Sequence, residues 1–199
     1  LMTALENSDV EENVESTTAI AYLLSLVYPS VPAEVIGARF PHIAEIFLGI
    51  LAAQREEGST ALIKSICSCL STALRLVEQT RWTEGPVIKA LFGLLALSAD
   101  ERPKVRKGAQ QGLWGLVGGL HRDASNHPAI RISTEHLLKA IDAHLKEPSQ
   151  TLCHIVTTLR GVMPYQDTSM LSASYEALLT VLESRQPILF SLVMDTIEY

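Results

Sequence analysis

Cysteine, aromatic residues and long apolar runs are all scarce in this chain of 199 residues. Its three cysteines form an odd and sparse set, unlike the disulfide framework of a small secreted domain. Cys67 and Cys69 lie two positions apart in a helical pattern, so their side chains point about 200° apart and cannot bridge each other. No run approaches the roughly 20 apolar residues that cross a bilayer, and the opening residues lack a signal-peptide pattern. We therefore expect a soluble intracellular protein with no membrane partner.

Positive charge is also in short supply, and it is unevenly distributed. The chain has 16 lysines and arginines against 22 acidic residues, for a net charge of −6. Such a balance argues against a protein that coats nucleic acid over its whole surface, because phosphate affinity comes from cations. Residues 75–131, however, carry nine cations against five acids, while residues 1–15 carry five acids and no cation. The objection to nucleic acid therefore applies to the two ends and not to the middle.

Patterns that indicate catalysis or metal binding are missing as well. The six histidines are scattered, and none lies in a His-Glu-x-x-His or Cys-x-x-Cys arrangement. An enzyme on a helical scaffold, such as a helical DNA-repair glycosylase, would need acidic and aromatic residues that converge on a basic cleft, and no such set is found. We therefore predict a non-enzymatic protein that needs no cofactor, metal or small-molecule substrate.

What the chain does have is helical periodicity. From residue 16 onward apolar residues recur at helical spacing, and no alternating strand pattern is found. Residues 1–15 are predicted to be an acidic, solvated tail or linker. The expected fold is all-α, with helix ends set mainly by proline and glycine. The predicted helices are 16–28, 33–55 with a break at Pro41, 59–80, 85–98, 103–121, 133–146, 149–162, 168–184 and 187–198.

The helices repeat in pairs. Apolar clusters that begin at Phe47, Leu91, Leu137 and Leu178 occupy corresponding positions, some 40 to 47 residues apart. This period is typical of HEAT and armadillo arrays, in which each helix pair buries its apolar face against its neighbours. We therefore predict that residues 16–199 form a HEAT/armadillo-like α-solenoid of about four stacked antiparallel helix pairs. The pattern is incomplete at the C-terminus, so we expect a fragment of a longer array.

The clearest copy of the repeat spans residues 87–116. It resembles the HEAT consensus, with Asp100 in the turn, Pro103 opening the second helix, and then Val105 and Arg106. In such arrays this arginine pairs with the turn aspartate of a neighbouring repeat, so Asp100 and Arg106 are expected to be structural. A stripe of glycines in the second helix costs roughly 1 kcal/mol per residue. Either a close neighbouring helix or a groove for a partner would explain the stripe, which consists of Gly108, Gly112, Gly115 and Gly119.

Four cations occur within six residues at the start of this helix: Arg102, Lys104, Arg106 and Lys107. They lie at the positive end of the helix dipole, so helix stability does not explain them. Free N–H groups and cations together suit a phosphate. We predict that Arg102, Lys104 and Lys107 bind RNA, another anion or a protein partner, with a solvated face as the alternative.

Two tryptophans are the other candidates for contact with nucleic acid. Trp82 and Trp114 could each stack on a base or pack in the core. Packing is the expected role of Trp114, whereas the sequence leaves both roles open for Trp82, which follows Arg81 in a predicted turn.

The string from Arg102 to Lys107, followed by Ala109, resembles the N-terminal HEAT region of the ribosomal RNA-processing protein 12 family. The helices around residues 22–26 and 72–76 add to the likeness, although Gly108 stands where a further cation is expected. The resemblance implies a non-catalytic scaffold of the nucleus and nucleolus, similar in shape to nuclear transport receptors and shuttling to the cytoplasm. It implies roles in assembly and export of small-subunit precursors, with pre-rRNA, assembly factors and transport machinery as partners. The alternative is another HEAT scaffold, such as a karyopherin-type nuclear transport receptor or an adaptor.

Overall fold

The computed structural model describes residues 1–8, 13–54, 58–120, 127–145, 150–183 and 187–197. Regular structure within these ranges is entirely helical, which confirms the predicted all-α class. Short 3-10 turns follow or precede several helices, at residues 28–30, 79–81 and 163–165. The α-helices are α1 (Met2–Glu6), α2 (Val14–Val27), α3 (Ala33–Ala53), α4 (Thr60–Arg75), α5 (Gly85–Leu97), α6 (Pro103–Gly118), α7 (Pro128–His144), α8 (Gln150–Val162), α9 (Thr168–Glu183) and α10 (Pro187–Ile197).

Two layers of helices build the molecule. One layer, the odd layer, consists of α3, α5, α7 and α9, and the other, the even layer, consists of α2, α4, α6, α8 and α10. Successive helices within each layer pack side by side, and each odd helix also packs against the even helix that follows it. Such stacked pairs bury a continuous core that no single pair could form. This arrangement confirms the predicted solenoid of stacked helix pairs.

The core follows the apolar stripes read from the sequence. The helical spacing of Val105, Ala109, Leu113, Leu116 and Leu120 predicts one buried stripe, and the first four are at most 1% exposed. Leu120, which follows the end of α6, is only half-buried. The two cysteines of α4 are fully buried, and burial raises the pKa of both Cys67 and Cys69 to about 12. Their thiols are therefore neutral packing groups and not reactive nucleophiles.

The predicted break of α3 at Pro41 is wrong, since the helix runs unbroken through this residue. Proline lacks an N–H group, so the carbonyl of Gly37, four residues earlier, loses its helical donor. The Nη1 atom of Arg81 donates to that carbonyl instead. Glu84 holds the same guanidinium through Nε and Nη2, at 2.8 and 2.9 Å. A side chain from the following repeat thus satisfies the backbone that proline leaves open.

Residues 2–6 depart from the predicted solvated tail, because they form α1 and pack on α2. Leu5 is only 2% exposed, and Glu6 accepts a hydrogen bond of 2.8 Å from His42 on α3. A helix of five residues is too short to show periodicity, so its single buried side chain gave no signal. Residues 9–12, which carry three of the acids, lie outside the described residues.

Helix α7 begins at Pro128, five positions before the predicted start at residue 133. Proline occupies the first turn, where its missing N–H costs nothing. The Nδ1 atom of His127 accepts a hydrogen bond of 3.2 Å from the N–H of Ala129 and so acts as the N-cap side chain. The sequence pattern missed this start because histidine is not among the usual capping residues.

Helix α3 is long and apolar enough to cross a membrane when judged by length and composition alone. Its 21 residues include a window of mean hydropathy 1.5. One side of the helix packs in the core between α4 and α5, through residues that include Phe40 and Phe47, both fully buried. These contacts are those of a core helix in a stacked array.

Both tryptophans pack between helices. Trp82 is 1% exposed and places its ring edge against His127, with ring centroids 5.2 Å apart. Trp114 is half-buried, and its Nε1 donates to the carbonyl of Thr158 on α8 at 3.3 Å. The ring of Trp114 lies directly over Gly161. A base-stacking role for Trp82 is therefore wrong, and the packing role predicted for Trp114 is confirmed.

Candidate nucleic-acid interface

Asp100 and Arg102 form a bidentate ion pair in the turn between α5 and α6. The Nε and Nη2 atoms of Arg102 donate to the two carboxylate oxygens of Asp100 at 2.9 and 2.8 Å, and its backbone N–H donates at 2.9 Å. Partial burial alone would raise the pKa of Asp100, but these bonds outweigh it and leave that pKa below its usual value. The positive charge of Arg102 is thus matched within its own turn.

The same guanidinium reaches the preceding repeat. Its Nη1 lies 3.5 Å from the carbonyl oxygens of Gln54 and Gly58, where α3 ends and the chain turns into α4. The Gln54 carbonyl belongs to the negative C-terminal end of α3, which a cation stabilises, and the Gly58 carbonyl lies just before α4. The geometry gives Arg102 a structural role between repeats, and its predicted contact with RNA or another anion stays a prediction. Asp100 also acts between repeats, through Arg102.

The hydrogen bonds of Arg106 go to the turn that precedes its own helix. Its Nη1 donates to the carbonyls of Asp100 and Glu101 at 2.8 and 3.1 Å. On the other side it faces α8, where burial lowers the pKa of His154 and the charge of Arg106 lowers it further. The corresponding turns of the neighbouring repeats, residues 55–57 and 146–149, lie outside the described residues. The expected pairing of Arg106 with an acid of a neighbouring repeat therefore stays a prediction.

We expect Arg106→Ala to lower the free energy of unfolding by about 1 kcal/mol, because it removes two bonds from a charged donor to the turn. For a chain of this length that loss corresponds to a fall of about 2–4 °C in melting temperature. Lys107→Ala is the matched control, since its side chain is exposed and the change should stay within about 0.5 kcal/mol. Equal melting temperatures for the two variants would contradict the assignment.

Lys104 and Lys107, the other two predicted contact residues, are exposed on the first two turns of α6. Among the described residues neither forms an ion pair with a carboxylate. Two unmatched cations at the N-terminal end of a helix raise the local positive potential. They are therefore available to an anion, unlike Arg102.

A groove runs between α4 and α6 beside these lysines. Its volume is about 260 Å³, and polar side chains, glycines and one leucine line it. Lys64 and Arg75 of α4 stand near its two ends. We call this cleft the α4–α6 groove; α4 contributes Lys64, Ser68, Ser71, Thr72 and Arg75, and α6 contributes Gly108, Gln111, Gly112, Gly115 and Leu116.

The glycine stripe of α6 explains how the two helices come so close. A Cβ atom at Gly108 would lie 3.1 Å from the Lys64 side chain, and one at Gly119 would lie 2.6 Å from that of Arg75. At Gly115 an added Cβ would meet nothing within 4 Å. Close helix packing therefore accounts for part of the stripe, and the structure offers no steric explanation for glycine at position 115.

The even layer carries an unusual distribution of charge. Helices α4, α6 and α8 hold six cations and no acidic residue along their spans. Acidic residues occur instead on α1, α2, α3, α7, α9 and α10, of which α2 and α10 belong to the even layer. A net charge of −6 thus coexists with three adjacent helices whose only charges are positive. The six cations are Lys64, Arg75, Lys104, Arg106, Lys107 and Arg160.

Within the described residues no cluster of three or more histidine, cysteine or acidic side chains could hold a metal ion. The histidines whose pKa shifts, such as His127 and His136, owe the lowering chiefly to burial. His136 stacks on Phe92 at a centroid distance of 4.7 Å in the odd layer. These histidines have packing environments, and none adjoins the α4–α6 groove.

Comparison with known proteins places the chain in a family. The model of RRP12-like N-terminal HEAT repeats matches residues 1–199, the whole chain. RRP12-like proteins of Homo sapiens and Gallus gallus are 31% and 33% identical to it over 92% of its length. The RRP12-like protein of Drosophila melanogaster is 28% identical over 71% of the chain. The chain spans only 14% of the length of the human and chicken relatives. It belongs to the RRP12-like family, within the N-terminal HEAT repeats.

Proposed function

We propose that this chain is part of a non-catalytic HEAT scaffold in ribosome biogenesis, which binds pre-rRNA and assembly factors on small-subunit precursors. The scaffold would act in the nucleus and nucleolus and accompany the particle during export. Family membership supports the assembly role. The observation that carries the binding role is the pair of exposed lysines, Lys104 and Lys107, beside helices that bear no acid.

The mechanism is passive and electrostatic. Phosphates displace counterions from the basic surface, and the release of those ions supplies affinity that does not depend on sequence. The stacked helices hold the cations at fixed spacing, so little order is lost on binding. Arg102 contributes to the field at the start of α6, while its hydrogen bonds remain with Asp100. The scaffold would in this way hold RNA and protein segments in a fixed arrangement while the particle matures.

We expect Lys104→Glu combined with Lys107→Glu to weaken association of the full-length protein with pre-ribosomes at least fivefold, which corresponds to about 1 kcal/mol. The readout is co-sedimentation with pre-ribosomal particles, together with the melting temperature of the purified chain. Neither side chain has a described partner, so the fold should be retained.

The matched control is Lys89→Glu combined with Lys139→Glu, two exposed lysines of the odd layer. It makes the same change in total charge and should leave sedimentation unaltered. Normal sedimentation of the Lys104 and Lys107 variant would show that these two lysines form a solvated face and do not contribute to binding. Purification dominated by a transport GTPase and varied cargo would favour a karyopherin-type receptor instead of an assembly scaffold.

A further inference from the structure

We propose that the α4–α6 groove holds the backbone of a single RNA strand, with Lys64 and Arg75 as phosphate contacts near its two ends. This inference rests on the proposed function and extends it from the start of α6 to a second helix. Lys64 and Arg75 are 11 residues apart on α4, which places them about 16 Å apart along the helix axis. A strand that follows the groove would pass both.

The aliphatic stems of these two exposed cations already contact the glycines of the neighbouring helix in the free chain. The side chain of Lys64 lies over Gly108 and that of Arg75 lies over Gly119, each in contact range of where a Cβ would be. Glycine at these two positions of α6 leaves room for the aliphatic stems, so that the charged ends can remain in solvent. Holding flexible side chains in this way lowers the entropy lost on binding.

The lining of the groove favours a phosphate backbone over a peptide. Hydroxyl and amide groups of Ser68, Thr72 and Gln111 line it and can donate hydrogen bonds to phosphate or ribose oxygens. The hydroxyl of Ser71, also in the lining, donates to the carbonyl of Ser68 at 3.0 Å. Leu116 is the one large apolar side chain among the lining residues. A helical or extended peptide would need apolar pockets for its anchor residues, and this lining offers none.

The groove is suited to contact the backbone without reading bases. No aromatic side chain is among its lining residues, and both tryptophans are packed elsewhere. Base stacking on the protein would require such a ring. We therefore expect affinity that depends on charge and salt and little on base sequence.

Binding of a labelled oligouridylate of about 12 nucleotides, followed by fluorescence anisotropy at several salt concentrations, tests this inference. Lys64→Gln combined with Arg75→Gln should weaken binding about tenfold at low salt. It should also reduce the slope of log affinity against log salt by about 1.4, since each single-strand phosphate that a cation neutralises adds about 0.7 to that slope. Unchanged affinity and slope would overturn the proposal.

A second variant tests the groove without removing a cation. Gly115→Glu places a carboxylate where an added Cβ meets nothing within 4 Å, so it should fold and be at least as stable as the wild type. We expect it to weaken oligouridylate binding at least fivefold, and more than Gly115→Gln does. Gly49→Glu is the matched control, because Gly49 is an exposed helix glycine of α3 with equally open surroundings. Equal binding by the Gly115 and Gly49 variants would contradict a groove site.

The outcomes separate this inference from the proposed function. If the Lys104 and Lys107 variant loses RNA while the Lys64 with Arg75 and Gly115 variants bind normally, the groove assignment is wrong and the scaffold proposal stands. If the wild type does not bind oligouridylate, the groove inference is wrong, and co-sedimentation with pre-ribosomal particles still decides the scaffold proposal. A polyglutamate peptide of equal charge should compete only weakly. If the peptide binds more tightly than oligouridylate and the groove variants weaken that binding, the ligand of the groove is an acidic peptide and not RNA.

Discussion

Gly161→Ala is expected to lower the free energy of unfolding by about 2–3 kcal/mol, because α8 has no room for a methyl group at this position. An added Cβ would lie 1.9 Å from Nε1 of Trp114. The indole would have to move, and it would lose its 3.3 Å hydrogen bond to the carbonyl of Thr158. Thermal or urea unfolding of the purified chain measures the change.

Gly115→Ala provides the comparison, since its added Cβ meets nothing within 4 Å. Alanine is the better helix former, so this variant should gain up to about 1 kcal/mol. Replacing Trp114 with leucine in the Gly161→Ala background should recover part of the loss, because the clashing ring is then absent. If Gly161→Ala and Gly115→Ala shift stability in the same direction, the close contact of α6 with α8 is wrong.

Arg102→Ala is expected to lower the free energy of unfolding by about 2–3 kcal/mol. It leaves the carboxylate of Asp100, whose side chain is 15% exposed, without its bidentate partner. It also removes the hydrogen bonds to Gln54 and Gly58 that link two repeats. Lys104→Ala, two residues away on an exposed side chain, should change stability by less than about 0.5 kcal/mol. The measurement is again equilibrium unfolding.

The pH dependence of the same variant gives an independent check. The pKa of Asp100 is lowered in the folded state, so the pair stabilises the fold above the ordinary value of 3.8 and loses its effect as the pH falls through the folded pKa. The difference between wild type and Arg102→Ala should therefore be largest near neutral pH and shrink below about pH 4. Removing Asp100 together with Arg102 should cost less than removing Arg102 alone. A difference that does not depend on pH would contradict the ion pair.

Much of the fold could be predicted from the sequence because its signals are local. Helix periodicity and the positions of proline and glycine gave most helix bounds, as with α6, whose first residue is the predicted Pro103. The exceptions involve groups distant in the chain. Helix α3 continues through Pro41 because Arg81, 40 residues later, donates to the free carbonyl. No pattern around Pro41 contains that information.

In the candidate site too, local sequence patterns predict some of the residues, and contacts between distant residues determine the others. The exposure of Lys104 and Lys107 follows from their positions opposite the apolar stripe of α6, so the sequence predicted it. The capture of Arg102 by Asp100 depends on rotamers and on the position of the preceding repeat, and spacing alone could not separate Arg102 from its neighbours. Lys64 and Arg75 were missed because each stands 44 residues from the glycine that its stem covers.

A buried polar cluster between repeats also went unnoticed in the sequence. Gln110 of α6 donates to the hydroxyl of Thr158 and to the carbonyl of Ser98, both at 3.2 Å. The Thr158 hydroxyl in turn bonds to that of Ser98 at 3.2 Å. Such residues look like ordinary polar positions until the fold brings them together, although Gln110 does follow Ala109 on the buried side of α6.

Both proposals place RNA on the acid-free helices of the even layer, α4, α6 and α8. Ultraviolet crosslinking of the full-length protein to RNA in cells, with the modified peptides identified by mass spectrometry, tests this placement most directly. We expect crosslinked residues in α4 and in the first half of α6, around Lys64, Lys104 and Lys107. Crosslinks confined to α5, α7 or α9 of the odd layer, or absent from α4 and α6, would contradict the account.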